Sequence, residues 1–202
     1  TATTTYSELF AGQYTLNLID SGECQASLSF EITEPEPLEY TPTILSHTSC
    51  FGENGGAYSY QISGGISPYQ DIFGNPIASS GIETSLLAGN YNIQVFDSNL
   101  CETTALVNIL EPDSLTLSVD SIVNVLCYGA NHGSIYAHVE GGTAPYQYYL
   151  NGILVQYTAS TYVVFDELYA SSYNIEVIDA YDCPIQKPLP TSPLFYLSLF
   201  QC

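Results

Sequence analysis

Apolar and polar side chains alternate with a period of two along short stretches of this chain, the spacing of strands with one face buried and one wet. Tyr58, Tyr60 and Ile62 fall on one side of such a stretch and Ser59, Gln61 and Ser63 on the other; Ile135, Ala137 and Val139 repeat the pattern further on. A second strand is predicted behind Tyr14, Tyr91 and Tyr173, with inward positions Leu16 and Leu18, Ile93 and Val95, and Ile175 and Val177. A third follows Cys24 and Cys101, where Leu28, Phe30 and Ile32 match Ala105, Val107 and Ile109. Gly-Gly, Ser-Pro, Gly-Asn and Asn-Gly turn signals separate the strands. No segment carries a helical stripe. The expected fold is all-β, with six or seven strands in roughly 75 residues, the count of an immunoglobulin-like β-sandwich. The tyrosine that opens the penultimate strand stands where that fold has its tyrosine corner.

The strands recur because the sequence does. Leu9-Phe10-Ala11-Gly12-Gln13-Tyr14, Leu86-Leu87-Ala88-Gly89-Asn90-Tyr91 and Leu168-Tyr169-Ala170-Ser171-Ser172-Tyr173 are versions of one string. Tyr14, Asp20 and Cys24 return 77 positions later as Tyr91, Asp97 and Cys101, then 82 later as Tyr173, Asp179 and Cys183. A second block, Cys50, Gly52, Asn54, Gly56, Gly64, Gly65, Pro68 and Tyr69, returns at a constant 77 as Cys127, Gly129, Asn131, Gly133, Gly141, Gly142, Pro145 and Tyr146. The five extra residues therefore lie between Tyr146 and Tyr173. This phasing predicts the back half of a repeat (1–40), two whole repeats (41–115 and 116–190) and the first strand of another (191–202). Such tandem units stack on their neighbours. A chain cut in mid-repeat is expected to be an interior stretch of a longer array.

Charge narrows the partners. One Lys and no Arg stand against 21 Asp and Glu, a net charge of −20. Polyanion binding needs clustered Lys or Arg, so neither nucleic acid nor an anionic membrane surface is an expected partner. No apolar run reaches the roughly 18 residues of a membrane span, so no membrane insertion is expected of this segment. Divalent cations are what this surface can attract.

A unit of this size buries only about 60–65% of its unfolded surface, and its stability is thin. Two cysteines per repeat can supply the difference, which points to an oxidising compartment. Cys50, Cys101, Cys127 and Cys183 are the disulfide candidates. Pairing within a repeat joins Cys50 to Cys101 and Cys127 to Cys183, leaving Cys24 and Cys202 to partners outside this stretch. Against this, the end of the first strand and the last hairpin of a sandwich lie at opposite poles, which favours a bridge between adjacent repeats such as Cys50 to Cys183. Unpaired or metal-bound thiols are the third arrangement.

Cys-Phe-Gly-Glu-Asn-Gly-Gly at 50–56, Gly-Gly-x-x-Pro-Tyr at 64–69 and 141–146, Leu-x-Ala-Gly-x-Tyr-x-Ile-x-Val-x-Asp at 86–97 and Glu-Pro at 111–112 resemble the SprB repeat over nearly the whole chain. The resemblance implies a very large cell-surface adhesin of gliding Bacteroidota, exported by type IX secretion and either attached to the outer membrane or secreted. The stretch after Pro-Tyr departs from the family, reading Gln70-Asp71-Ile72-Phe73 and Gln147-Tyr148-Tyr149-Leu150 where an aromatic-Ser-Trp string is usual.

Candidate chemistry is sparse. His47, His132 and His138 align with Asn124, Gly55 and Gln61 of the other repeat, so none recurs, and no catalytic motif is present; no enzymatic activity is expected. Ca²⁺ is the one cofactor to consider, with Asp20, Asp97, Asp179 and Glu53 as candidate ligands at turns. The competing reading is an Asp that bonds its own turn backbone. Ser114 and Ser121, each in an Asp-Ser-apolar triplet, resemble the short O-glycosylation motif of Bacteroidota. Tyr14, Tyr91 and Tyr173 are expected to be structural, and Tyr148 and Tyr149 are left as exposed tyrosines for binding. The expected function is an extended adhesive stalk; the alternative is a subunit of a self-assembling filament or sheath, and a weaker third reading is the spacer of a large secreted enzyme. Neighbouring repeats, a second copy and surface glycans are the expected partners.

Overall fold

A computed structural model describes residues 4–189, all of whose regular elements are β-strands. The strand expected at 191–202 lies outside the described residues. The chain opens on a hairpin, β1 (Gly12–Ile19) and β2 (Gln25–Ile32), paired antiparallel with Tyr14 opposite Phe30. Seven strands follow: β3 (Glu39–Ser46), β4 (Gly56–Ser63), β5 (Tyr69–Asp71), β6 (Pro76–Ile77), β7 (Ser80–Leu86), β8 (Gly89–Phe96) and β9 (Glu102–Ile109). Seven more repeat the order: β10 (Thr116–Val123), β11 (Gly133–Glu140), β12 (Tyr146–Leu150), β13 (Ile153–Thr158), β14 (Tyr162–Leu168), β15 (Tyr173–Ile178) and β16 (Pro184–Leu189).

Each seven-strand set divides identically. The first, second and fifth strands form one sheet (β3-β4-β7 and β10-β11-β14), and the fourth, third, sixth and seventh form the other (β6-β5-β8-β9 and β13-β12-β15-β16). The fourth strand thus sits beside the third, where a constant-type immunoglobulin domain places it at the edge of the first sheet. The opening hairpin is equivalent to the last two strands of a set.

The chain packs as two compact units. The first draws on the chain up to Pro42, Tyr60–Gly81 and Asn92–Ala105; the second on Thr43–Ser59, Ile82–Tyr91 and the chain from Leu106 onward. In the first unit Ile62 and Val95 are buried and the Tyr40 and Tyr60 rings stack with centroids 5.1 Å apart. The core of the second unit takes Leu117, Ile135, Ala137, Val139, Val163 and Phe165 from the three-stranded sheet, and Tyr146, Tyr148, Ile175 and Val177 from the four-stranded one. Period-two alternation delivers one side chain in two to this layer, and the buried apolar surface is its principal stabilising term.

Two expectations need correction here. Leu18, Leu28 and Phe30, read as inward positions, are exposed, because among the described residues no second sheet covers the β1–β2 hairpin. Tyr148 is not an exposed binding residue but fully buried, since it shares the inward face of β12 with Tyr146. Its hydroxyl donates to the Ser160 carbonyl (2.9 Å), and burial together with neighbouring Tyr146 pushes its pKa up to about 12. Tyr149 is half-buried and donates to Gln147 Oε1 at 2.7 Å.

Candidate functional site

The residues that recur in the sequence assemble into a few structural devices. The first is the tyrosine at the start of β1, β8 and β15. Tyr14, Tyr91 and Tyr173 donate their hydroxyls to the carbonyls of Phe10, Leu87 and Tyr169, at 2.8, 2.9 and 2.9 Å, each four residues back. This is the tyrosine-corner bond, and it fixes the bend by which the chain enters the strand.

The second device centres on the recurring aspartate. Asp97 Oδ1 accepts the backbone N–H groups of Asn99 (2.9 Å) and Cys101 (2.8 Å), and Oδ2 accepts that of Ile66 (2.9 Å). Asp179 repeats the arrangement with Tyr181 (2.9 Å), Cys183 (3.0 Å) and Thr143 (2.8 Å). Each carboxylate closes its own turn and ties it to the Gly-Gly turn of the same repeat. Both side chains are almost fully buried. Burial pushes the Asp97 carboxyl up, but the three backbone N–H donors outweigh it and hold its pKa below the ordinary aspartate value. Asp20 bonds Gly22 and Cys24 through Oδ1 at 2.8 and 2.9 Å in the exposed hairpin.

The Gly-Gly-x-x-Pro-Tyr string completes this knot. Gly64 and Gly141 have φ of +67° and +73°, and a Cβ on either would meet a backbone carbonyl oxygen, of Pro37 at 1.9 Å or of Ser114 at 2.1 Å. Only glycine lets the turn lie against the segment that leads into its repeat. There the next residue's N–H donates to Glu36 O (Gly65, 2.7 Å) or Asp113 O (Gly142, 2.8 Å). The tyrosine of Pro-Tyr donates back to the first glycine, Tyr69 to Gly64 O at 2.8 Å and Tyr146 to Gly141 O at 2.9 Å.

These bonds occupy oxygens of three of the candidate Ca²⁺ ligands, Asp20, Asp97 and Asp179. The oxygens of Asp97 and Asp179 are already committed to amide N–H groups, Glu53 is exposed in a different turn, and no group of three or more His, Cys, Asp or Glu among the described residues is placed to hold a metal ion. Asp97 and Asp179, and Asp20 through Oδ1, thus follow the competing reading, an Asp that bonds its own turn backbone.

The third device is the junction between the two full repeats. Cys50 and Cys183 form a disulfide with Cα atoms 5.7 Å apart, across 133 positions of sequence. Pairing within a repeat is thereby corrected: Cys101 is a free, exposed thiol, as is Cys24, while Cys127 is disulfide-bonded and Cys202 lies outside the described residues. The physical reason is positional. Cys50 follows the first strand of its set, whereas Cys101 precedes the last, at the other pole of the sandwich. The Cys50 loop is seated on the closing segment of its repeat. Leu110 N donates to His47 Nδ1 (3.1 Å), Thr48 N donates to Leu110 O (3.1 Å), and Gly52 N donates to Glu111 Oε2 (2.7 Å). Cys183 in turn is held by the Asp179 clamp. The sequence signalled Glu111 only through the Glu-Pro string at 111–112 and gave no signal for His47, which does not recur.

The other candidates are dispersed. Ser114 and Ser121 are exposed, one before β10 and one within it. His138 Nδ1 lies 2.6 Å from Asp120 Oδ1 on the outer face of the three-stranded sheet. Lys187 donates to the Leu117 carbonyl at 3.2 Å.

Fold and junction define a class: tandem all-β sandwiches whose recurring polar residues are spent on turns and whose cysteines cross from one repeat to the next. Residues 119–154 match the SprB repeat family, and the chain carries a SprB repeat. That match runs from within β10 to the start of β13, less than the resemblance read from the motifs, and marks a segment of a repetitive cell-surface protein. No curated protein matches the chain. Among the described residues no helix is long and apolar enough to cross a membrane.

Proposed function

We propose that this chain is a mechanical segment of a bacterial surface adhesin, a stalk that carries a binding region away from the cell, with a structural and not a catalytic role. The observation that carries the reading is the Cys50–Cys183 bond, which couples consecutive repeats covalently. A spacer under load or exposed to proteases gains from such a link, because one repeat that opens stays tied to its neighbour. The same bond requires an oxidising compartment, in keeping with a surface location. The gliding and type IX export that the family resemblance implies belong to this proposal. Antibodies raised against the chain should label intact cells of the bacterium that makes it, protease shaving should remove the signal, and deletion of the repeats should reduce attachment to surfaces. Labelling only after lysis, or attachment unchanged by the deletion, contradicts the reading.

A further inference from the structure

Three turns of this chain are built alike, bond for bond. Asp20, Asp97 and Asp179 each accept through Oδ1 the N–H of the cysteine four residues on, at 2.9, 2.8 and 3.0 Å. Each donates its own N–H to that cysteine's carbonyl, at 3.0, 3.0 and 3.1 Å. The residue before the cysteine, Glu23, Leu100 or Asp182, is left-handed, with φ of 65°, 64° and 63°, and donates to the aspartate carbonyl at 3.0, 3.0 and 3.2 Å. Cys24, Cys101 and Cys183 therefore leave the same turn in the same way. Their side chains differ in one respect. Cys183 is buried and bonded to Cys50, its Sγ 3.5 Å from the Ser49 carbonyl oxygen, while Cys24 and Cys101 are exposed free thiols.

The bonded copy of the turn identifies what the other two receive. Cys183 takes the first cysteine of the repeat before its own, in the loop Cys-Phe-Gly-Glu-Asn-Gly-Gly at 50–56. The equivalent loop at 127–133 reads Cys-Tyr-Gly-Ala-Asn-His-Gly, and Cys127 is disulfide-bonded as well. Both first cysteines among the described residues are thus occupied, so Cys101 needs one from a further repeat. We infer that Cys101 bonds the first cysteine, in a Cys-aromatic-Gly-x-Asn-x-Gly loop, of the repeat whose back half is residues 1–40. Cys24 stands in the same relation to the repeat before that. The inference rests on the tandem-array reading. The bond forms by exchange with a disulfide oxidant, glutathione disulfide or the disulfide of a protein oxidase. The Cys101 thiolate attacks it to give a mixed disulfide, and the partner thiolate then displaces the oxidant's sulfur. Two cysteine thiols and one oxidant disulfide become one cysteine disulfide and two oxidant thiols. Every repeat is then tied both forward and back. A bridge like Cys50–Cys183 reaches across 133 positions, more than the 77 between successive first cysteines, so neighbouring bridges overlap and a single backbone cut does not sever the array.

A disulfide map of the intact protein tests the inference. The protein is isolated from the bacterium that makes it, alkylated without reduction and digested, beside the same protein carrying Cys101→Ser. A peptide joining Cys101 to the first cysteine of the preceding repeat is expected. In Cys101→Ser that partner cysteine should appear alkylated, so that one free thiol is gained; if Cys101 is free in the array, the substitution only loses one. In the 202-residue chain by itself, Cys101 should be alkylated. Cys101 alkylated in the intact protein overturns the inference, and so does Cys101 joined to a cysteine outside such a loop or to a second molecule. The stalk reading is tested separately on cells: surface labelling with Cys101 free sinks the inference alone, and a bridged Cys101 in a protein that does not label sinks the stalk alone.

Discussion

Cys50 of one full repeat is bonded to Cys183 of the next, with their Cα atoms 5.7 Å apart. In the chain-entropy picture a bridge across 133 positions restricts the unfolded chain by about 5 kcal/mol, more than a within-repeat loop would. Removing it with Cys50→Ser and Cys183→Ser together should lower the melting temperature by several degrees. Reductant should lower the melting temperature of the unaltered chain at least as far, since it opens the bond of Cys127 as well. Equal melting curves for the two proteins without reductant contradict a stabilising bridge.

The Asp179 clamp sits directly beneath this bond. Asp179→Ala leaves the N–H groups of Thr143, Tyr181 and Cys183 without their acceptor, a cost of about 3 kcal/mol or more. Chemical denaturation should show it, and a loss under about 1 kcal/mol contradicts the clamp.

Asp97 makes the same clamp titratable. Its folded pKa is depressed, so the stability it contributes is present above the unfolded value of about 3.9 and is lost as pH falls through the folded value. The acid limb of a stability–pH curve, below about pH 4, should therefore be shallower in Asp97→Asn than in the unaltered chain. Parallel acid limbs contradict the assignment.

Because these carboxylates are committed to backbone donors, calcium should not matter to the fold. Melting curves with excess CaCl₂ and with a chelator should superpose. A rise in melting temperature with calcium would restore the cation that the geometry of Asp97 and Asp179 argues against.

The corner tyrosines should behave as a graded series. Tyr91→Phe and Tyr173→Phe each remove one hydroxyl bond to a carbonyl four residues back, worth about 1 kcal/mol. Tyr14→Phe should cost less, since its hairpin is exposed on both faces. A series with Tyr14 the most sensitive contradicts this order.

Much of this was legible in the sequence because backbone physics writes it there. Alternation at 135–139 fixed the inward face of β11, and the spacing of Tyr91 and Asp97 marked a corner and a clamp, whereas Cys101, expected as half of a bridge, is a free thiol. Three things were hidden. The alternation of β12 was masked by its composition: the adjacent Tyr148 and Tyr149 read alike as exposed tyrosines, while Tyr148 lies in the core. The turn before each second cysteine needs a left-handed residue, but Glu23, Leu100 and Asp182, at φ 65°, 64° and 63°, give no glycine signal. Disulfide connectivity depends on which poles meet, and spacing alone left Cys50 open to either Cys101 or Cys183.

The repeat-to-repeat coupling is tested most directly by digesting the unreduced chain after alkylation and identifying its linked peptides by mass spectrometry. A peptide joining Cys50 to Cys183, with Cys24 and Cys101 alkylated, is the predicted result. Peptides joining Cys50 to Cys101 and Cys127 to Cys183 would contradict it.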